Sequence, residues 1–329
     1  MRPALALFGY ALAVSWSLPP LLARLTRRGV SVRLGLAAWL SAMASALMAA
    51  GLGIQSLFGT VRADWPSLTR AVCRSVAGDA CTPVVYRSAL YELGVGACAL
   101  LVSAAAVVAV WRYGRRTRRG RTRSRAHARA ALLAGTPLPG TGAVVLPDPR
   151  PAAYCVPGRP AAIVLTTGAL NVLDGAQLAA VLAHERAHLS GRHHALVLVT
   201  RGLAAALPGV PLFTRGAAEV ARLAEMSADD AAARASGRPT VVAALLAIGT
   251  RTAVPASALA LARVPSSLLS MLPGRADAGL AAAGYAVPAR VERMLRSPRP
   301  VRDAALGFAL AVAAIALAAM PVVLAAFAG

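Results

Sequence analysis

Two histidines and a glutamate stand at a spacing that can do chemistry. His184-Glu185-Arg186-Ala187-His188 is an H-E-x-x-H. On a helix, the i, i+4 spacing brings both imidazoles to one face, where they can grip one metal ion. Glu185 is angularly adjacent and can reach a water on that metal. A catalytic site of this kind needs a third protein ligand and an open position. Arg222-Leu-Ala-Glu225-Met-Ser-Ala-Asp229-Asp230 supplies a second i, i+4 pair. Glu225 is the expected third ligand. Asp229, one turn on, is expected to accept the far N–H of a ligating His and so fix its tautomer. Glu219 is the rival third ligand, but it has no carboxylate four residues later. With five His in 329 residues, a chance H-E-x-x-H is a weak rival. The expected group is one Zn2+ per subunit.

The surrounding sequence must hold these side chains in place. Asp174 starts a helix with an apolar face of Ala176, Leu178, Ala179, Val181 and Leu182 that runs to about Ser190, before Gly191. A second helix is expected from about Ala217 to Ala235, ending at Gly237. Ahead of both, Ala152–Val156 and Ala161–Thr166 read as short strands, a hairpin or two edge strands split by Pro157-Gly158-Arg159-Pro160. Gly135–Gly142 and Pro147–Pro151 are turn-rich. His193 and His194 follow the break at Gly191 and are expected off the metal face. Cys155 has no His or Cys at ligand spacing and reads as an apolar filler.

The rest of the chain is built for a bilayer. It is 57% hydrophobic and 15% charged, with a mean hydropathy of +0.61, which excludes a disordered chain and an ordinary soluble one. The net charge is +22 and every basic residue is Arg. Nucleic-acid binders with such charge are hydrophilic, so no nucleic-acid partner is expected. Apolar runs at 4–23, 34–58, 89–111 and 304–327 are long enough to span, with Pro19 and Pro20 expected to kink or fray the first. Arg24, Arg27 and Arg28 form a stop-transfer flank and argue against signal cleavage. The dense Arg clusters at 24–33, 112–129 and 290–302 fall on one side of a four-span arrangement. The active site is therefore expected on the cytoplasmic side of the cell membrane, with Gly59–Ser88 outside. The Arg run at 112–129 has only Trp111 and Tyr113 as aromatics and reads as a topology anchor. Cys73 and Cys81 fall in the outer loop, where a disulfide is allowed. Ala195–Phe213 is apolar enough for a fifth span, but a crossing would separate His184 from Glu225, so a hairpin, re-entrant or membrane-resting helix is expected. The fold class is thus a mostly α membrane protein of about four transmembrane helices plus an α+β domain with a small sheet. Its divisions are 1–125 for three spans, 126–300 for the metal-site domain and 301–329 for the last span.

H-E-x-x-H followed by E-x-x-A-D resembles the gluzincin metallopeptidases of the M48 and M56 families. The resemblance runs over about 150–300. It includes the strand pair, the Thr167-Gly168-Ala169-Leu170 turn, Leu178-Ala-Ala-Val-Leu-Ala-His184, and Arg290-Val-Glu-Arg-Met-Leu295, similar to a closing R-I-E-R-L. Three spans before the domain and one after are similar to the M56 layout. The M56 sensors carry a penicillin-binding domain after the last span, whereas this sequence ends at Gly329. Some M48 members have a His-Pro before the closing motif; here Val287 precedes Pro288. The resemblance implies a zincin domain and a membrane zinc endopeptidase that cuts peptide bonds of a protein or peptide substrate, with Glu185 as general base. Tyr285, then Arg290, are the candidates for the catalytic oxyanion donor. Ala161–Thr166 is expected to offer an edge on which an extended substrate adds as a strand. The alternative implied is an M56-type signalling or non-catalytic sensor controlling a transcriptional repressor.

Overall fold

A computed structural model describes residues 2–27, 31–77, 83–252, 287–296 and 300–327. Tyr285 and Cys81 lie outside the described residues, and with Cys81 the expected Cys73–Cys81 disulfide. Three long helices come first: α1 (Arg2–Thr26), α2 (Val32–Ala77) and α3 (Pro83–Ala134). Strands β1 (Thr136–Leu138), β2 (Ala143–Leu146), β3 (Ala153–Val156) and β4 (Ala162–Thr166) follow. Then come α4 (Thr167–Val172), α5 (Gly175–Ser190), α6 (His193–Ala206), α7 (Pro211–Ser236) and α8 (Arg238–Thr252). A short helix over residues 287–295, α9, precedes α10 (Pro300–Phe327).

Among the described residues, four helices are long and apolar enough to cross a membrane: Pro3–Thr26, Val32–Gly59, Gly96–Ala134 and Asp303–Phe327. They correspond to the four expected runs. Pro19 and Pro20 do not fray the first, because α1 continues to Thr26. Most of the expected outer loop is helical, since α2 runs on to Ala77 and α3 begins at Pro83. The third candidate span continues without a break through the Arg run. At 1.5 Å per residue, the 52 residues of α3 make a rod of about 78 Å. Its arginines stand exposed on one side, while Thr117, Ala128 and Ala131 are buried on the other.

That buried stripe covers one face of the sheet. Ala128 and Ala131 pack with Val144, Val156, Ala162 and Val164. The alternate residues Ala143, Cys155, Ile163 and Leu165 face the other way, onto Ala169, Leu173, Val181 and Leu182 of the α4–α5 layer. This is the period-two alternation of a strand between two helical layers. The strand order is β1-β2-β4-β3, with β2 parallel to β4 and β3 antiparallel to it. The expected hairpin of the last two strands is present, but β4 is not an edge. All five of its residues are buried, with β2 on one side and β3 on the other, and the free edges of the sheet belong to β1 and β3. The turn-rich stretch before them also contains β1 and β2, which the composition concealed.

α5 starts where Asp174 caps it; the Asp174 side chain accepts from Gln177 N, and the Gln177 side chain accepts from Asp174 N. Such a cap is worth about 1 kcal/mol. α7 starts at Pro211, six residues before its expected start, and stops at Gly237, whose φ of 82° suits glycine. Residues 195–213 are not a fifth span. They contain α6, a tight turn at Pro208–Gly209, and the first turn of α7, and α6 packs back on α7.

Gly168 is where α4 meets the loop before β3. A Cβ there would lie 2.2 Å from the Pro149 carbonyl oxygen, and Gly168 N donates to Asp148 O at 2.9 Å. Backbone cannot yield as a flexible side chain does. Gly168→Ala is therefore expected to cost about 1–3 kcal/mol, the range for forced overpacking. Gly175→Ala, whose Cβ would meet nothing within 4 Å, should not destabilise. Thermal unfolding of the two variants in one detergent checks this; equal midpoints would contradict the packing argument.

Candidate metal centre

α5 and α7 pack against each other and bring their i, i+4 pairs face to face. His184 Nε2 and His188 Nε2 are 3.0 Å apart. Glu225 Oε2 lies 3.6 Å from the first and Glu225 Oε1 3.5 Å from the second. Ligand atoms of these three residues all fall within 4.8 Å of one another. Two imidazole nitrogens and a carboxylate oxygen form a donor set that suits a divalent ion such as zinc, whose catalytic sites take three protein ligands and one further position. Glu185 is buried on the same helix beside them.

The far nitrogens are held as well. His184 Nδ1 is 3.1 Å from Asp229 Oδ1, the contact expected of Asp229. Asp229 has no exposed surface and forms a bidentate pair with Arg290, whose Nε donates to Oδ2 at 2.8 Å and whose Nη2 donates to Oδ1. Arg290 Nη1 also reaches Glu225 Oε2 at 3.3 Å. One turn on, Arg293 donates to both oxygens of Asp230 at 2.8 and 2.7 Å. The closing motif therefore docks α9 onto α7. Arg290 was expected as an oxyanion donor; its guanidinium is instead committed to two carboxylates from behind.

The electrostatics follow from this packing. Burial disfavours a charged His184, but the hydrogen bonds to Asp229 and Glu225 outweigh it and raise the imidazole to about 9. Burial and the charge on His184 push His188 down to about 3, leaving a neutral ring. Burial would raise Glu225, yet His184 and Arg290 hold it down at about 2. Asp229 is likewise held low by Arg290 and His184 against its burial. Glu185 is raised by burial, the direction a group needs to hold a proton near neutrality. A cation entering this donor set must displace the His184 proton.

The rival third ligand is set aside, and two expectations are corrected. Glu219 is not near the donors; Arg222 donates to it at 2.6 and 3.1 Å, and Thr26 Oγ1 lies 3.5 Å away, at the end of α1. His193 and His194 are not away from the site. His193 is buried with Nδ1 3.2 Å from His188 Nδ1, and His194 Nε2 is 3.0 Å from Cys155 Sγ. Cys155 is not merely a filler, because its thiol also hydrogen-bonds the Glu185 carboxylate, and burial pushes that thiol up. These contacts arise because Arg192 adopts a left-handed conformation, φ 50°, which turns the chain sharply between α5 and α6 and sends α6 against α7 and α3. A non-glycine there gives no sequence signal. The spacing of His193 five residues after His188 was the only clue.

Comparisons with known proteins bear on the segment that carries these residues. Residues 117–248 match the profile of Peptidase family M48, a segment that contains His184, Glu185, His188, Glu225 and Asp229 but not Arg290. The Protease HtpX homolog of Acidiphilium cryptum (strain JF-5) is 41% identical over 81 residues. That stretch is 24% of this chain and 28% of the relative, so the likeness spans little more than a quarter of that protein. No solved structure matches significantly. Residues 117–248 are thus similar to Peptidase family M48, and the M48 alternative of the resemblance is the one supported; nothing found supports M56.

The Arg290–Asp229 pair gives a direct test. Arg290→Met leaves the buried Asp229 carboxylate without its bidentate partner, with His184 still facing it, and breaking a buried pair costs about 3–5 kcal/mol. Arg290→Met with Asp229→Leu should recover part of that loss. Denaturant unfolding of both single variants and the double variant measures the coupling; strictly additive losses would deny it.

Proposed function

We propose that this chain is a membrane-bound zinc endopeptidase. The observation that carries the reading is the convergence of His184, His188 and Glu225 beside a buried Glu185 on one helix pair. Zinc held by such ligands polarises a peptide carbonyl and lowers the pKa of water. The chain's own residues would do the rest. His184 and His188 bind through Nε2, and Asp229 holds His184 from behind. Glu225 supplies the charged donor, while Arg290 keeps Glu225 and Asp229 ionised. Glu185 takes a proton from the attacking water and returns it to the leaving amine.

The free edge of β3 is the strand on which an extended substrate segment would add, since its Cys155 reaches Glu185. The substrate class is a protein or peptide segment. The repressor target that the M56 resemblance implied finds no support in the M48 match.

Glu185→Gln should lower proteolysis of a casein or self-cleavage substrate by about 10²–10⁴-fold, the usual share of a general base. Zinc content should stay at one per chain, because Glu185 is not a ligand. Loss of zinc in that variant would overturn the role given to Glu185.

Sidedness follows from the Arg clusters, which favour a cytoplasmic active site. In a cysteine-free background, Ala71→Cys should react with an impermeant maleimide added outside intact cells, and Ala235→Cys should not. Equal labelling would refute this orientation.

A further inference from the structure

α6 begins where α5 ends, and its first residue is turned back onto the metal centre. His193 Nδ1 lies 3.2 Å from His188 Nδ1, and the two rings meet edge to face with centroids 5.0 Å apart. His193 is 6% exposed, so no bulk water competes for that contact.

The contact has a defined chemical sense. His188 Nε2 is the nitrogen that points at His184 Nε2 and Glu225, so it is the one that must present a lone pair to a cation. A neutral imidazole with a free Nε2 carries its proton on Nδ1. That N–H points at His193 Nδ1, which must accept, and His193 then holds its own proton on Nε2. The two ligand histidines are therefore oriented in parallel fashion. Asp229 sits behind His184, and a neutral imidazole sits behind His188.

Gly191 provides a second, independent observation. A Cβ on Gly191 would lie 2.5 Å from His193 Nε2 and 2.8 Å from Cδ2. The φ of Gly191 is −75°, which any residue adopts. Its lack of a side chain therefore serves the packing around it, the His193 ring first and then the Ala187 carbonyl oxygen, 3.0 Å from that Cβ, and not a backbone angle.

We infer that His193 is a positioning residue for the metal centre, fixing the tautomer and orientation of His188 by accepting its Nδ1–H, in a space kept open by Gly191. This deepens the zinc-peptidase reading and rests on it. A buried, neutral acceptor behind one ligand and a charged one behind the other give the pair unequal donor strengths, with His188 the weaker base.

The test is the zinc dissociation constant of the full-length protein in detergent, measured by chelator competition. It is made on the wild type and on His193→Ala, His193→Phe, His193→Asn, Gly191→Ala and His188→Ala. Removing an outer partner of a ligating histidine typically weakens metal binding about 10–100-fold. His193→Ala and His193→Phe should fall in that range. His193→Asn keeps an acceptor close to the Nδ1 position and should return most of the affinity. Gly191→Ala, which removes no polar group, should also weaken binding by displacing the ring. A ring that only fills space predicts the reverse order, with His193→Phe rescuing and His193→Asn failing. That order, or wild-type affinity in His193→Ala, overturns the inference while leaving the zinc reading intact. Wild-type protein that binds no zinc, or binding that survives His188→Ala, overturns both.

Discussion

Arg290 and Asp229 meet where neither has water to turn to, and each is held in its charged form by the other. From that pair the donor arrangement is built outward. Asp229, kept ionised, accepts from His184 Nδ1 and so points His184 Nε2 forward. The third guanidinium nitrogen reaches Glu225 and keeps its carboxylate turned toward the same point. Two carboxylates four residues apart on one helix repel each other, and a single cation between them relieves the repulsion. The cation comes from a segment 61 residues further along the chain. The closing helix is thus part of the metal centre, although it touches none of the expected reacting atoms.

The sheet and α6 complete the enclosure from the opposite side. β3 packs on α5 through Cys155, whose thiol lies between Glu185 and His194. His193 occupies the next position on the same turn and backs His188. Every member of the H-E-x-x-H therefore has a neighbour that restricts its rotation: Asp229 for His184, Cys155 for Glu185 and His193 for His188. Such restriction is what preorganises a site whose helices alone would allow several rotamers.

Much of this arrangement could be read from the amino-acid order, and the reasons differ by element. The two i, i+4 pairs were legible because helical periodicity makes face-sharing a local property of spacing. Asp174 announced its helix by standing just ahead of an apolar face that recurs at helical spacing up to Gly191, and the Gln177 half of its cap appeared only in the structure. The parts that escaped depend on contacts far apart in sequence or on backbone conformations with no compositional mark. β4 reads as an edge until its parallel pairing with β2 is known. β1 and β2 are three and four residues long within a run of Gly and Pro, too short for alternation to register. The Arg run was legible as a topology signal but not as a helix, since its buried stripe is made of small residues such as Thr117, Ala128 and Ala131. His193 escaped because the left-handed Arg192 turns the chain sharply where a continuing helix would have carried it away.

α7 carries Glu225 and Asp229 on one face and Leu212, Phe213, Val220 and Leu223 on another. The second set packs with Trp39 and Met43 of α2, Leu22 of α1 and Leu310 of α10. The crossing is close: a Cβ on Gly216 would meet the Trp39 ring at 3.0 Å, and one on Gly35 would meet Leu223 at 3.3 Å. A helix this tightly seated moves with its seat. The packing of α1, α2 and α10 is therefore a boundary condition on the donors of α7. Any shift of those three helices would reach the donors through about four turns of α7, from Gly216 to Asp229. The candidate spans thus brace the helix that carries Glu225 and Asp229.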